Sequence, residues 1–291
     1  MTRLATAAIE WYGEHARSLP WRAPGVGAWP ILVSEVMLQQ TQVSRVEPVW
    51  REWVTRWPTP AALAAEPAAE AIRAWGRLGY PRRALRLHQC ARTLVERHGG
   101  EVPRTLPELL ALPGVGSYTA RAVAAFAYRQ RHPVVDTNVR RLLARCLDGE
   151  PDAGPATTAA DLAAAEALLP ADPEPAAVAS VAFMEIGAVV CTARAPHCGS
   201  CPLAAACAWR AVGRPLPPGP SRRPQRYQGT DRHVRGELLA VLRAADGPVP
   251  GTRLDLAWAD AAQRQRALAS LLEDGLVVAV PGERYALAGD G

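Results

Sequence analysis

Alternating runs of β-branched residues are almost absent before residue 245, and this restricts most of the chain to helices. Ala, Leu, Arg and Glu dominate the same region, and all four suit helices. Prolines interrupt the region at short intervals. Because proline seldom occurs inside a helix, their spacing predicts six or more short helices. The prolines that carry this prediction are Pro20, Pro48, Pro58, Pro81, Pro103, Pro107, Pro113 and Pro133.

Length and composition predict a cytoplasmic protein of two domains. A chain of 291 residues corresponds to about two domains of roughly 150 residues each, and an apolar content of 49% can build their cores. The longest apolar runs are Ala-rich and are broken by Arg or Glu, and the first residues lack the hydrophobic core of a signal peptide. We therefore expect no membrane segment.

A proline-rich stretch, 213–230, predicts a linker before a small C-terminal module. Residues 214–228 contain five prolines and show no apolar periodicity. The following segment, 231–291, has the pattern of three helices and then two strands around a Pro-Gly-Glu turn. Three helices followed by a hairpin is the order of a winged-helix-like α+β module.

The basic residues of this chain are all Arg. The absence of Lys excludes any reaction that needs a Lys amine, such as Schiff-base formation. Eight of the 33 basic residues lie in 208–243 beside only two acids. Such a stretch indicates either a phosphate-rich partner or a solvated linker.

A glycine-containing turn, LPGVGSYTA at 112–120, lies between two helical stretches. Gly114 and Gly116 permit a tight turn whose N–H groups point outward, and the helix that follows adds the positive end of its dipole. This is a helix-hairpin-helix signature. It predicts a sequence-independent contact with DNA phosphates.

Two carboxylates stand in unlike environments. Glu35 has Val, Met and Leu as neighbours, so it is either an exposed helical residue or a buried proton donor with a raised pKa. Asp136 follows apolar residues and begins a helix, where it serves as an N-cap, as a functional acid or as both. Two carboxylates in different environments are typical of glycosidic bond cleavage.

Four of the six cysteines, Cys191, Cys198, Cys201 and Cys207, lie within seventeen residues. In an intracellular chain this grouping favours a metal site over disulfides. The spacing includes one C-x-x-C pair, where zinc sites of four cysteines usually have two, and so favours a [4Fe–4S] cluster over zinc. The other cysteines, at 90 and 146, are predicted to be buried thiols without a function.

Together these motifs resemble those of the A/G-specific adenine DNA glycosylases, the MutY family of the endonuclease III superfamily. The resemblance extends from about residue 5 to residue 212. It is carried by LPWR at 19–22, SEVMLQQTQV at 34–43, LGY at 78–80, LPGVGSYTA, VVDTNV at 134–139, MEIG at 184–187 and the cysteine loop.

The fold that the resemblance implies is mainly α, a two-lobed helix-hairpin-helix DNA glycosylase fold with an iron-sulfur cluster loop. A six-helix barrel would comprise 22–132, and the cluster domain would comprise 1–21 and 133–212. Duplex DNA would enter the cleft between them. The winged-helix-like module at 231–291 lies beyond the region of resemblance.

The resemblance also implies a role for each site residue. Glu35 would protonate adenine N7 and then activate water, Asp136 would stabilise the oxocarbenium sugar, and Tyr118 would support both carboxylates. Three residues would line the pocket of the flipped adenine, and two would fill the gap that it leaves in the stack. The pocket residues are Trp21, Arg22 and Glu185, and the wedge residues are Gln40 and Tyr80. Alternatively, Trp21 and Tyr80 are core aromatics and Glu185 is a helix cap.

Position 118 separates this chain from related enzymes. Bifunctional endonuclease III enzymes carry Lys there, so the resemblance implies a monofunctional glycosylase without a Lys-based lyase step. Thymine mismatch glycosylases share Tyr118 and Asp136 but do not need an acid to protonate N7, so Glu35 favours adenine. The implied substrate is duplex DNA with adenine opposite 8-oxoguanine or guanine, bound by a monomer acting at the nucleoid. The competing hypotheses are a thymine or uracil mismatch glycosylase and a non-catalytic DNA-binding protein.

This chain departs from the family pattern at three places. Pro81 replaces a second Tyr, and Thr137 stands where Gly is frequent. Many members of the family also carry a Nudix-like C-terminal domain whose Phe-Ser-His loop reads 8-oxoguanine, and that tripeptide is missing here. The family pattern therefore does not explain how the lesion strand would be read.

Overall fold

The computed structural model describes residues 2–154, 156–215 and 227–290, and within them the predicted mainly helical fold is confirmed. None of the helices in these ranges is both long and apolar enough to cross a membrane. The helices are α1 Arg3–His15, α2 Ala28–Leu38, α3 Val43–Arg56, α4 Pro60–Ala64, α5 Ala68–Trp75, α6 Arg82–His98, α7 Leu106–Leu110, α8 Ser117–Tyr128, α9 Thr137–Leu143, α10 Ala159–Leu168, α11 Pro173–Val189, α12 Ala208–Ala211, α13 Asp231–Arg243, α14 Gly251–Asp255 and α15 Ala261–Glu273. Short 3₁₀ turns cover Pro20–Arg22, Cys198–Ser200 and Ala204–Ala206, and a π turn covers Ala144–Asp148.

The described residues form two compact units. The first contains 2–35, 103–111 and 115–215, and the second contains 36–102, 112–114 and 227–290. The domain boundaries taken from the sequence stay a prediction.

The core of the first unit is built from small residues that let helices approach closely. Ala5 and Ala8 of α1 are fully buried and pack in the same cluster as Ala179 and Ala182 of α11. Gly187 of α11 lies against α9, where an added Cβ would stand 2.6 Å from the Asn138 carbonyl oxygen. This close approach explains the glycine of the MEIG motif, since any larger residue would push α9 and α11 apart.

The helical part of the second unit has a tryptophan cluster at its centre. The rings of Trp53 and Trp57 lie 4.8 Å apart, and those of Trp53 and Trp75 lie 5.5 Å apart, both edge to face. This is the preferred arrangement of aromatic pairs. The cluster packs α3 against α5 and so fixes the position of the chain that leads from α5 into α6.

The prediction that Pro48 separates two helices is wrong. Pro48 lies inside α3, near its first turn. Its missing N–H removes one bond of the helix. The helix continues because its apolar face, with Val46, Trp50 and Trp53, is buried, and that burial outweighs one lost bond.

The C-terminal module has the predicted three helices and hairpin, with one strand more. Strands β2 (Val277–Val280) and β3 (Arg284–Leu287) pair antiparallel around the predicted turn. A two-residue strand, β1 (Val249–Pro250), pairs antiparallel with β3 and completes a three-stranded sheet of order β1-β3-β2. No sequence pattern indicated β1, since two residues cannot show a period.

Helix α5 and the C-terminal module share one hydrophobic core. Ala69 and Ile72 of α5 are buried in the same cluster as Leu238 of α13 and Leu271 of α15. A polar contact also joins α13 to α5, where the Arg243 Nε donates to the Ile72 carbonyl at 2.9 Å. The module is therefore part of the second unit's core.

The basic stretch is only partly available to a partner. Arg235 donates to the carboxylate of Asp274 at 2.5 Å, and Arg243 is directed into the second unit's core. These two residues act in folding, which corrects the interpretation of the whole stretch as a phosphate-binding or solvated segment. The residues at 222, 223 and 226 lie outside the described ranges.

Candidate active site

Glu35 is a buried carboxyl near the end of α2. Its side chain is 5% exposed, and Val33, Val36 and Met37 beside it are buried as well, so the interpretation as an exposed helical residue is wrong. Burial raises the pKa of Glu35 to about 7, and the charge of Asp136 adds to this effect. A hydrogen bond from Tyr118 and the charge of Arg22 oppose the rise. The result is an acid that holds its proton for about half of the time at neutral pH.

Tyr118 connects Glu35 to the helix-hairpin-helix turn, because it lies in the first turn of α8. Its hydroxyl is enclosed and donates to the Glu35 carboxylate, although part of the residue remains exposed. Burial, and then the charges of Glu35 and Asp136, raise the pKa of Tyr118 well above its ordinary value. Tyr118 is therefore a permanent hydrogen-bond donor to Glu35 at physiological pH.

Asp136 is the N-cap of α9, as one of the two interpretations predicted. Its Oδ1 accepts from the Val139 backbone N–H at 2.7 Å, and its Oδ2 accepts from the Asn138 side-chain amide at 2.8 Å. Burial raises its pKa, and these hydrogen bonds limit the rise. These hydrogen bonds hold the Asp136 carboxylate in one orientation. Its negative charge raises the pKa of Glu35.

Glu185 is a fully buried carboxylate held by two arginines. Its side chain is 0% exposed and lies within α11, so the helix-cap interpretation is wrong. Arg17 donates through Nε at 2.6 Å, through Nη2 at 2.9 Å and through its backbone N–H at 3.1 Å. Arg22 donates through Nη1 at 2.8 Å. Burial alone would raise the pKa of Glu185, but the two arginines lower it to about 2.

The remaining pocket and wedge residues differ in exposure. Trp21 is buried in the Pro20–Arg22 turn, next to Arg22. Gln40 and Tyr80 belong to the second unit and are exposed, and Tyr80 is 48% exposed, so its interpretation as a core aromatic is wrong.

The two glycines of the hairpin have different functions in the structure. Gly114 has φ +78, and an added Cβ would stand 2.8 Å from the Arg86 Cβ, so both backbone and space require glycine. Gly116 is the N-cap of α8 with φ −93, a conformation open to any residue, and its surroundings are open. The tight turn therefore needs Gly114 alone, while Gly116 leaves the first N–H groups of α8 accessible.

The four clustered cysteines line one cavity. Cys191, Cys198, Cys201 and Cys207 border it together with apolar residues such as Leu142 and Leu203. Among the described residues, no three His, Cys, Asp or Glu side chains form a group that could hold a metal ion. Cys90 and Cys146 are buried as predicted, and Cys146 also lines the cavity.

Buried arginines link the cysteine loop to its surroundings. Arg145 donates to the Cys191 Sγ at 3.4 Å and lies over the Trp209 ring at 4.5 Å. Arg141 donates to the Cys191 carbonyl at 2.8 Å and to the Asn138 side-chain oxygen at 2.9 Å. Asn138 is the residue that donates to Asp136, so this chain of hydrogen bonds runs from the loop to the carboxylate.

Two residues of the site were missed in the sequence. Asn138 stands inside the VVDTNV motif, yet only the structure shows its hydrogen bond to Asp136. Arg17 lies outside every motif, and its partner Glu185 is distant in sequence, so no local pattern could identify it.

Comparisons with known proteins show the family of this chain. Residues 33–167 match the family described as HhH-GPD superfamily base excision DNA repair protein. An adenine DNA glycosylase of Mycobacterium tuberculosis is 58% identical over 287 residues, covering 98% of this chain and 94% of the relative. The human adenine DNA glycosylase is 39% identical over 216 residues, covering 71% of this chain and 39% of the relative.

Solved structures share the fold. A thermostable thymine-DNA glycosylase superposes with a TM-score of 0.66 at 25% identity, covering 72% of this chain and 95% of the other. A trapped covalent intermediate of endonuclease III with DNA gives a TM-score of 0.61 at 23% identity, covering 73% and 98%.

Proposed function

The chain belongs to the adenine DNA glycosylase family, and we propose that its substrate is adenine mispaired with 8-oxoguanine or guanine in duplex DNA. Its function is base excision repair. The observation that carries the proposal is the buried Glu35 with its pKa raised to about 7. Adenine leaves far more readily when N7 is protonated, and an acid with a pKa near the working pH is suited to that proton transfer.

Proton transfer and water activation use the same carboxyl. Protonated Glu35 gives its proton to adenine N7 as the glycosidic bond breaks, and the bonding electrons leave with the base. The resulting Glu35 carboxylate then accepts a proton from the water that attacks C1′ of the sugar. Tyr118 donates to the carboxylate form and so orients it for this second step.

Asp136 stabilises the oxocarbenium character that the sugar acquires. Its two hydrogen bonds, from Val139 and Asn138, fix its orientation so that no reorganisation is needed as the positive charge develops. Burial, with a smaller contribution from the charge of Asp136, favours the protonated form of Glu35, while the hydrogen bonds to Asp136 favour its ionised form. The two acids therefore divide the work of acid catalysis and charge stabilisation.

The adenine pocket is formed by Trp21, Arg22 and Glu185. Arg22 is fixed by its ion pair with Glu185 and also acts on the pKa of Glu35. Arg17 is the second cation on Glu185, so this ion cluster has two positive charges around one buried carboxylate.

Duplex DNA is held by its phosphates at the hairpin and opened by two wedges. The N–H groups at Gly114 and Gly116 and the N-terminus of α8 bind a phosphate without reading sequence. Gln40 and Tyr80 enter the gap that the flipped adenine leaves, which offsets part of the unstacking cost. A monomer bound to chromosomal DNA in the cytoplasm meets these requirements.

A [4Fe–4S] cluster fits the cysteine loop. The four cysteine side chains line one apolar cavity, and four cysteine sulfurs are the ligand set of such a cluster. Cys191, Cys198, Cys201 and Cys207 would hold it, and the nearby Arg145 would offset its negative charge. When bound, the cluster supplies a rigid anchor for the loop.

The experiment measures base release in single turnover from A:8-oxoG, A:G and T:G duplexes, followed by alkaline cleavage of the abasic strand. Release of adenine from both A-containing duplexes, with little from T:G, supports the proposal. Preferential release of thymine would favour the thymine/uracil-DNA glycosylases, of which one from Pyrobaculum aerophilum is 35% identical to this chain. Because the chain has no Lys, borohydride should trap little covalent enzyme and the strand should remain intact before alkali.

A further inference from the structure

The two wedge residues share a rare backbone conformation. Gln40 has φ 55 and Tyr80 has φ 47, both in the left-handed region that residues with a Cβ seldom occupy. Gln40 lies two residues beyond the end of α2, and Tyr80 lies two residues before α6 and directly after Gly79, which also has a positive φ. Backbone outliers of this kind persist only where the surrounding structure enforces them.

The Thr41 hydroxyl of one turn donates to the Leu78 carbonyl of the other at 3.5 Å, and Arg83 contacts both turns. Its Nη1 donates to the carbonyls of Val36 and Met37 at 3.0 and 2.9 Å, which are end carbonyls of α2. The same nitrogen donates to the Gln39 carbonyl at 2.6 Å, and Nη2 donates to the Thr41 hydroxyl at 2.9 Å. These contacts hold the backbone just before Gln40 and the Thr41 side chain just after it.

The other turn is held by the same guanidinium. Its Nη2 donates to the Gly79 carbonyl at 3.0 Å, and its central carbon lies 5.4 Å from the centroid of the Tyr80 ring. The same central carbon lies 5.1 Å from the centroid of the Trp75 ring. A single planar cation therefore joins the turn of Gln40 to the turn of Tyr80.

Burying the charge of Arg83 costs more free energy than a purely structural residue would need. It is 7% exposed, and within the described residues none of its hydrogen-bond or ion-pair partners is a carboxylate. Its Nε–H lacks any hydrogen-bond partner in the same part of the chain. Burial lowers the pKa of Arg83 to about 10. A neutral side chain could donate to the end carbonyls of a helix without the free-energy cost of burying a charge. The guanidinium of Arg83 therefore has a further role.

We propose that Arg83 is a positioning residue that holds Gln40 and Tyr80 in the backbone conformation from which both side chains enter the base stack. The inference rests on the proposed function, since it needs a base to be extruded from a duplex. The backbone of both turns is held before DNA arrives, so ordering that backbone costs no conformational entropy on binding. Arg83 itself stays buried and contacts no DNA.

The test compares Arg83→Met and Arg83→Lys with Arg92→Met, a matched change on the same helix. Arg92 is exposed and pairs only with Glu96, one turn away. Lys keeps a cation beside the end carbonyls of α2 but cannot form the fork that reaches both turns. We measure single-turnover adenine release, binding to the same duplex, and the fluorescence of 2-aminopurine placed at the mispaired position as a report of extrusion.

Misplacement of both wedges should slow base release from duplex DNA by about a hundredfold in each Arg83 variant, with duplex binding changed by less than about threefold. The 2-aminopurine signal should fall with the rate, and Arg92→Met should match the wild type. In a Gln40→Ala, Tyr80→Ala background, adding Arg83→Lys should change the rate by less than about threefold, because Arg83 acts through those residues.

Three results would overturn the inference while leaving the proposed function intact. The first is a wild-type rate of base release in both Arg83 variants. The second is that Arg83→Lys slows the Gln40→Ala, Tyr80→Ala protein as strongly as it slows the wild type. The third is failure of both Arg83 variants to fold. A wild-type protein that releases no adenine would instead overturn the proposed function, and this inference with it.

Discussion

Replacing Glu35 by Gln should make the protein more stable above neutral pH while destroying its activity. In the unfolded chain this carboxyl ionises near its ordinary value of 4.5, whereas burial raises the folded value to about 7. The folded state therefore loses stability as pH rises from 4.5 to about 7, and the loss is constant above that. At about 1.36 kcal/mol for each pH unit, the gap corresponds to about 3 kcal/mol. Gln cannot ionise and avoids this cost.

The assay is the melting temperature of wild type and Glu35→Gln at pH 5 and at pH 8. For a chain of this size, about 3 kcal/mol corresponds to roughly 5–10 °C, which should appear at pH 8 and shrink to about a quarter of that at pH 5. Single-turnover adenine release should fall about a thousandfold or more, since an amide cannot protonate N7. An equal difference in melting temperature at both pH values would refute the reasoning, because it would show that Glu35 does not titrate between them.

Three further predictions concern other parts of the molecule. Tyr118→Phe removes a hydrogen bond that favours ionised Glu35, so the alkaline limb of the pH–rate profile should move up by about one pH unit, and a downward move would contradict this. Purified protein should be yellow-brown with about four iron atoms per chain. Cys198→Ser should lose both colour and iron, while the matched Cys90→Ser should keep them. One zinc without iron in anaerobically prepared protein would reject the cluster. Ile72→Ala should lower the free energy of unfolding by about 2–5 kcal/mol and make the C-terminal module sensitive to protease, and an unchanged module would mean that α5 is not part of its core.

The local parts of the fold and the site could be predicted from the sequence because their causes are local. The apolar neighbours of Glu35 indicated burial, and Asp before a helical stretch indicated an N-cap. Helix and hairpin patterns in the C-terminal module were long enough to show their periods, whereas β1 has two residues and exists only through its pairing with β3. The prediction at Pro48 was wrong because the free energy of one lost hydrogen bond is smaller than the free energy gained by burying the apolar face of α3.

Long-range partners could not be predicted in the same way. Arg17 is part of the site because helix packing brings it to Glu185, and Arg83 is important because two separate turns meet at its guanidinium. In sequence both are ordinary arginines of an Arg-rich chain. The orientation of Arg243 into a core likewise depends on α5, a helix from the opposite end of the second unit's sequence.

The core shared by α5 and the C-terminal module imposes an order on synthesis. Ile72 leaves the ribosome long before Leu238 and Leu287, with which it is buried. At roughly 5–20 residues per second, on the order of 10 to 40 s separate the translation of Ile72 from that of Leu287. Throughout that interval Ile72 lacks its C-terminal partners, and a nascent chain with such an uncovered apolar face is a substrate for chaperones. A premature stop codon before α13 would leave that face uncovered for good, so cells should degrade the truncated product even though every proposed catalytic residue is present in it.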